Sequence, residues 1–391
     1  MKILLLSGYH AASHKYWCEG LMNAFPEHEW HCLTLPARYF NWRVRGAPLS
    51  WLHEQSAVLD RPVELLIATS MVDLATLKGL NTNLAATPSL CYFHENQFAY
   101  PKSREQHASV DAQMVNLYAA LAADGVLFNS AFNRDSFFAG VNRLLAKLPD
   151  HRPTAIEPLL ESRSVVLPVP LNERGDADLS PPEDAEPRTH QDWKLDANRP
   201  AIKIIWASRW EYDKGPDRLL AVMEELECRG TEYRICILGE QFRHSPKEFD
   251  AIKQAFEHRI VQFGFVASTF EYQRWLSSAD IILSTSIHEF QGLAVLEAVA
   301  AGCVPVLPGR LSYPELVPAR FLYASYETDL PREAQAAANL IEQVVADRPK
   351  APCVKRFFWS ALRSEYAELF DRVASRNTRK MAADDFSRQA F

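Results

Sequence analysis

The sequence holds no apolar run near the roughly 18 residues that a membrane-spanning helix requires. Its first apolar stretch, Ile3-Leu4-Leu5-Leu6, is shorter than the ~7–15-residue core of an export signal, and no small-residue cleavage site follows. It reads as a buried first strand, and the expected compartment is the cytoplasm. The seven cysteines (Cys18, Cys32, Cys91, Cys228, Cys236, Cys303, Cys353) are scattered, odd in number and form no Cys-x-x-Cys word. Zinc and dithiol redox centres are therefore not indicated, and Cys91 in Leu90-Cys91-Tyr92-Phe93 reads as a small core residue. No Asp-x-Asp word stands near a strand end, so no metal is expected. Positive charge is in deficit: 42 Lys and Arg against 49 Asp and Glu give a net charge of −7, which argues against a general nucleic-acid binder. Local basic patches survive that exclusion. One gathers Arg38, Arg43 and Arg45; another, Arg372, Arg376, Arg379 and Lys380, stands near the end of the sequence, where a solvated terminus is the alternative.

What is present is a 48% hydrophobic, 23% charged chain of 391 residues, the balance of a globular protein of two domains. Short apolar runs at Ile3–Leu6, Leu65–Ala68, Leu90–Phe93, Val126–Phe128 and Val165–Leu167 read as buried strands. Helical spacing separates them at Val110–Ala123 and from Ala131 to Phe138. From Asn172 to Pro200 the chain is rich in Pro, Asp, Glu and Arg and reads as a linker or surface excursion, not a core element. Strands then resume at Ile202–Ala207, Ile235–Leu238, Ile260–Phe263, Ile281–Ser284 and Val304–Leu307. Helices are expected at Asp217–Cys228, Phe249–Phe256, Tyr272–Ser278 and Leu293–Ala301, with a last amphipathic stretch at Ser360–Val373. The segments are thus 1–171, 172–200, 201–355 and 356–391. The fold class is α/β, two Rossmann-like doubly wound domains facing a central cleft, with strand C-terminal ends as ligand sites.

The most informative word runs from His288 to Gly302 and follows a strand. A helix starting near Gly292 would offer unpaired N–H groups and partial positive charge to a diphosphate, and Gly292 would allow close backbone approach. Glu297 lies among Val295, Leu296, Ala298 and Val299, so its carboxylate needs donors, either ribose hydroxyls or a structural network. Glu289, just before the helix, suits sugar hydroxyls or a capping role.

Glu289-Phe290-Gln291-Gly292-Leu293 through Glu297 is Glu-x7-Glu, and it resembles the signature of retaining glycosyltransferases of family 4, which adopt the GT-B fold. The resemblance implies that Glu289 contacts the donor sugar and Glu297 the ribose, with Phe290 to Leu293 lining the donor. Upstream, Arg209 to Gly215 resembles the family's strand-end Arg-x4-Lys-Gly. By that likeness Arg209 and Lys214 would neutralise a leaving diphosphate.

The N-terminal half narrows the match. Tyr92-Phe93-His94-Glu95-Asn96-Gln97, Phe128-Asn129-Ser130-Ala131-Phe132-Asn133, Leu148 to Pro153, Ser13-His14-Lys15 and Pro36 to Arg45 resemble the tRNA-queuosine α-mannosyltransferases. That family transfers mannose from GDP-mannose to the queuosine cyclopentenediol of an aspartate tRNA. The implied roles are His94 near the donor sugar, with Ser13, His14, Glu95, Asn96 and Gln97 on the acceptor. Arg38, Trp42 and Arg43 combine cations with an aromatic, as unpaired RNA loops require; cations fringing a core patch are the alternative. A monomer without cofactor is expected. The rivals are a family-4 transferase with a lipid or small-molecule acceptor, a nucleotide-sugar epimerase, and a non-catalytic tRNA-binding module.

Overall fold

The apolar runs become interior strands because a parallel sheet covered on both faces buries every side chain of its central strands. The computed structural model describes residues 1–100, 110–173, 193, 195, 201–241 and 245–388, with side chains described as far as 375. The first sheet contains β1 (Lys2–His10), β2 (Glu29–Pro36), β3 (Leu65–Thr69), β4 (Ser89–Phe93), β5 (Gly125–Phe128) and β6 (Ser164–Val166), all parallel in the order β2-β1-β3-β4-β5-β6. Every residue of β3, β4 and β5 is buried. The second sheet contains β7 (Ile202–Ala207), β8 (Tyr233–Leu238), β9 (Ile260–Gly264), β10 (Ile281–Leu283), β11 (Val304–Pro308) and β12 (Leu322–Tyr323), in the order β12-β11-β10-β7-β8-β9. Its pairings are also parallel.

The chain divides into two compact units, Met1–Pro170 with Trp359–Phe391, and Leu171–Phe358. The sequence set 356–391 apart; the structure returns its long helix, Trp359–Arg388, to the N-terminal unit. Trp359, Leu362, Tyr366, Leu369, Phe370 and Val373 are buried at helical spacing. Tyr366 donates its hydroxyl to the Pro168 carbonyl at 3.0 Å and accepts the Trp17 indole N–H at 3.1 Å. Arg363 caps the contact, donating to the Ala24 carbonyl at 2.8 Å.

Most of 172–200 lies outside the described residues, but Trp193 does not behave as part of a surface excursion. It is buried in the second core, donates its indole N–H to Ser278 at 3.0 Å and meets Trp275 edge-on at 5.4 Å. Arg376, Arg379 and Lys380 lie outside the residues whose side chains are described, while Arg372 is exposed. Among the described residues no helix is long and apolar enough to cross a membrane.

Candidate active site

In the second unit, the turn after β7 and the loop after β10 are laced into one structure. Thr285 accepts the Trp206 indole N–H at 2.9 Å and directs its own hydroxyl at the carbonyls of Lys214 and Gly215, both at 3.0 Å. The N–H groups of Ile287 and His288 donate to the Asp213 carbonyl at 2.9 and 3.1 Å. Gly215 has φ 66° and would drive a Cβ into the Thr285 carbonyl, so this turn requires glycine. The outcome is that Lys214, carried by the first loop, reaches the second.

Lys214 is 9% exposed and donates to the His288 carbonyl at 3.0 Å and to Glu289 Oε2 at 3.2 Å, with Asp213 Oδ2 at 3.3 Å. Burial disfavours its charge, but Glu289 and then Asp213 outweigh burial and raise its pKa above the usual lysine value. Burial likewise pushes Glu289 up, and Lys214 more than reverses that, leaving the carboxylate below its ordinary range. Its other oxygen accepts the Phe290 N–H at 3.1 Å. Glu289 therefore braces the turn ahead of the helix and partners Lys214 at the same time. Arg209 is the more accessible cation, 44% exposed and 3.0 Å from Glu211.

Gly292 has φ 79° and starts the helix Leu293–Ala300; a Cβ there would press on Tyr313 at 3.2 Å. Phe290 and Gln291 are buried, and Phe290 meets His288 edge-on at 4.5 Å. Glu297 is half-buried and accepts the Tyr272 hydroxyl at 3.3 Å, so one donor its setting demanded is supplied by the protein. Burial, with Glu297 adding to it, raises the Tyr272 pKa well above the ordinary value.

Several contributors were not singled out by sequence. Asp213 sits inside the Arg209–Gly215 word and could have been noticed as a buried acid. Tyr313 bonds Ser284 Oγ at 2.6 Å, and burial, with Glu289 second, pushes its pKa up to about 12. Arg310 donates to the carbonyls of Ser286 at 2.9 Å and Thr285 at 3.3 Å, and is itself held by Glu333 at 2.8 Å. Glu333 also accepts Arg218 at 3.1 Å. Nothing in local sequence marks that long-range Arg–Glu–Arg network.

In the first unit, the loop after β4 is fixed by amides. Asn129 donates to the His94 carbonyl, Asn133 to the Phe93 carbonyl, both at 2.8 Å, and Ser70 to the Glu95 carbonyl at 3.0 Å. His14 and His94 stack at 4.2 Å, and His14 Nε2 lies 3.2 Å from Glu95 Oε2. Trp17 stands edge-on to His94 at 5.0 Å. Burial first, then His14 and His10, hold the His94 pKa well below the ordinary histidine value, so its ring is neutral. His94 Nε2 and His14 Nδ1 are buried with no hydrogen-bond partner among the described residues.

Asn96 corrects the expected acceptor set. Its amide N–H groups are directed at Asn133 O, Asn133 Oδ1 and Ser136 Oγ at 2.9–3.0 Å, and its carbonyl accepts Phe98 and Ala99 N–H at 3.0 and 2.9 Å. Both ends are used inside the protein, so it shapes the loop. Gln97 keeps its side chain half-buried near Met71, while its backbone N–H donates to Asn116 at 2.8 Å. Ser13 is exposed on the helix Ala12–Ala24. Arg38 and Trp42 are exposed at the head of the helix Phe40–Leu52, Arg43 is half-buried, and Arg45 is paired with Asp73 at 3.0 Å. Among the described residues no three His, Cys, Asp or Glu side chains gather as metal ligands.

Two successive doubly wound parallel sheets, the second carrying a buried cation ahead of a glycine-started helix, have the organisation of the GT-B fold. Residues 187–355 match the glycosyl transferases group 1 family. Sucrose-phosphate synthase from Thermosynechococcus elongatus shares the fold, with a TM-score of 0.69 at 16% identity over 96% of this chain and 100% of that one. Residues 2–171 match the N-terminal domain family of tRNA-queuosine alpha-mannosyltransferase. The Drosophila melanogaster tRNA-queuosine alpha-mannosyltransferase is 34% identical over 324 residues, 82% of this chain and 83% of that protein. The chain belongs to the tRNA-queuosine alpha-mannosyltransferase family. A GDP-mannose:cellobiosyl-diphosphopolyprenol alpha-mannosyltransferase of Xanthomonas oryzae is 27% identical over 114 residues, 28% of this chain and 30% of that protein.

Proposed function

We propose that this glycosyltransferase moves mannose from GDP-mannose to a cyclopentenediol hydroxyl of queuosine in aspartate tRNA. Retention of configuration, independence of divalent ions, a cytoplasmic location and a monomeric state belong to the same reading. The observation that carries it is the N-terminal family match over residues 2–171, in a chain whose second unit holds the Arg209 and Lys214 pair at a strand end. The names of the Drosophila and Xanthomonas relatives support the tRNA acceptor and the GDP-mannose donor.

In this reading Arg209 and Lys214 stabilise the departing diphosphate, the charge that grows most in the transition state. An oxocarbenium-like centre develops at the sugar, and the acceptor hydroxyl attacks from the face the phosphate leaves. The leaving phosphate takes the hydroxyl proton. Glu289 fixes Lys214 and orients the sugar, and Glu297 holds the ribose. The protein contributes positioning and charge stabilisation more than covalent chemistry.

The test offers the purified protein GDP-mannose or UDP-sugars with queuosine-containing tRNA or, separately, a polyprenyl-diphosphate glycolipid acceptor, and counts sugar transferred after prolonged EDTA treatment. Transfer from GDP-mannose alone, undiminished by EDTA, is expected. Transfer only to a lipid acceptor would point to the lipid-acceptor rival. Loss on chelation, restored by manganese or magnesium, would remove the metal-free assignment.

A further inference from the structure

The helix Phe40–Leu52 leaves two large aromatic rings in solvent at its head. Tyr39 is 72% exposed and Trp42 is 60% exposed, and Leu49 extends the strip along the same face at helical spacing. Single exposed apolar residues are ordinary, but two large exposed aromatic rings only three positions apart are not.

The surroundings show how it is built. Gly46, one turn beyond Trp42, has no side chain, and a Cβ there would come within 2.9 Å of the indole. The indole therefore lies across the helix on the glycine, which fixes one side of it and leaves the rest to solvent. Tyr39 has φ 56°, a left-handed conformation that a tyrosine adopts only at a cost, and its carbonyl accepts the N–H groups of Trp42 and Arg43 at 2.9 and 3.0 Å. Arg38 is exposed, its guanidinium 5.7 Å from the Tyr39 ring centre. Arg45, on another side of the helix, is neutralised by Asp73.

We propose that Tyr39 and Trp42 are a stacking platform for unpaired nucleobases of the RNA, with Arg38 on the adjoining phosphates. This rests on the reading of the chain as a tRNA-modifying transferase. Base faces stack on aromatic rings whatever the base, and a flanking arginine supplies the complementary charge in a chain whose net charge is −7. A strained tyrosine that packs against little is explained by a ligand and not by the core. Tyr39 is the residue that the composition of the arginine cluster did not single out.

The experiment measures affinity of the full chain for an RNA hairpin with an unpaired loop and for the same stem closed as a blunt duplex. Tyr39→Ala and Trp42→Ala should each weaken hairpin binding by about 5- to 150-fold, the range for losing one stacked base, while GDP binding stays at the wild-type value. The blunt duplex should bind weakly and be indifferent to either change. Tyr39→Gly is the decisive variant, because relief of the left-handed strain should preserve or raise the melting temperature while hairpin affinity still falls. Hairpin binding in the wild type that neither substitution alters would overturn the platform and leave the transferase reading intact. Failure of the wild type to bind any RNA would overturn both. A sedimentation change in the variants, with RNA affinity unmoved, would assign the strip to a protein partner and likewise overturn the proposal.

Discussion

Replacing Lys214 by Met removes one charge from the buried centre and keeps most of its volume. Asp213 and Glu289 would then face each other without their cation, and breaking a buried pair by deleting one partner costs about 3–5 kcal/mol. For a unit of this size that is a melting-temperature loss of roughly 6–20 °C. The pH dependence identifies the cause. In the wild type, the depressed Glu289 pKa contributes stability that is present above the unfolded value of about 4.3 and fades as pH falls through the lower folded value. The raised Lys214 pKa contributes stability that is complete below about 10.4 and fades as pH rises through the higher folded value. Without Lys214, the largest influence opposing burial on Glu289 is gone, which favours its protonated form. The deficit should therefore be full near pH 7 and shrink toward pH 4. Adding Glu289→Gln to the Met variant should recover part of the loss, the remainder belonging to Asp213. Calorimetric melts of the three proteins across pH are the assay. An equal deficit at pH 7 and pH 4, with no recovery in the double variant, would show that packing was lost and not charge balance.

Three further outcomes follow from the geometry. Asn96→Ala should lower stability by about 2–4 kcal/mol, because Phe98 and Ala99 N–H and the Asn133–Ser136 group lose partners; denaturant melts check this, and unchanged stability with lower turnover would restore it to the acceptor site. The depressed His94 pKa makes the unfolded chain bind more protons below about pH 6.5, so stability falls as pH drops through that value. His94→Gln should flatten that acid-side slope in melts between pH 5 and 7, and an unaltered slope would place its origin elsewhere. Glu297→Ala should abolish GDP binding by calorimetry while leaving tRNA affinity intact, whereas loss of both would mark the residue as structural.

The interior strands were legible because β3, β4 and β5 are continuous apolar runs, and so was the glycine-started helix at Leu293. The edge strand Glu29–Pro36 carries Glu, His and Thr among its apolar residues and leaves no continuous run to find. The helix Phe40–Leu52 contains Gly46 and Pro48, which conceal its period. Site residues at strand ends were readable as words, and the fold brings Lys214 to Glu289 across 75 positions. What sequence could not give was occupancy: that Asn96 spends its amide on Asn133, that Arg45 spends its charge on Asp73, and that Trp193 enters a core from a charged stretch. Those outcomes depend on neighbours distant in the chain.

The return of the helix Trp359–Arg388 to the first unit sets an order on how this protein is made. Leu171–Phe358 is contiguous and can close as soon as it leaves the ribosome, but the first unit lacks its last helix until synthesis nears the end of this sequence. At ~5–20 residues per second, the residues from 171 onward take roughly 10–45 s to appear. For that interval Trp17 has no Tyr366 hydroxyl to bond, and Phe25 has neither Trp359 nor Phe370 beside it. The half of the chain born first is thus the half finished last, and its uncovered apolar face is where a nascent-chain chaperone would find work.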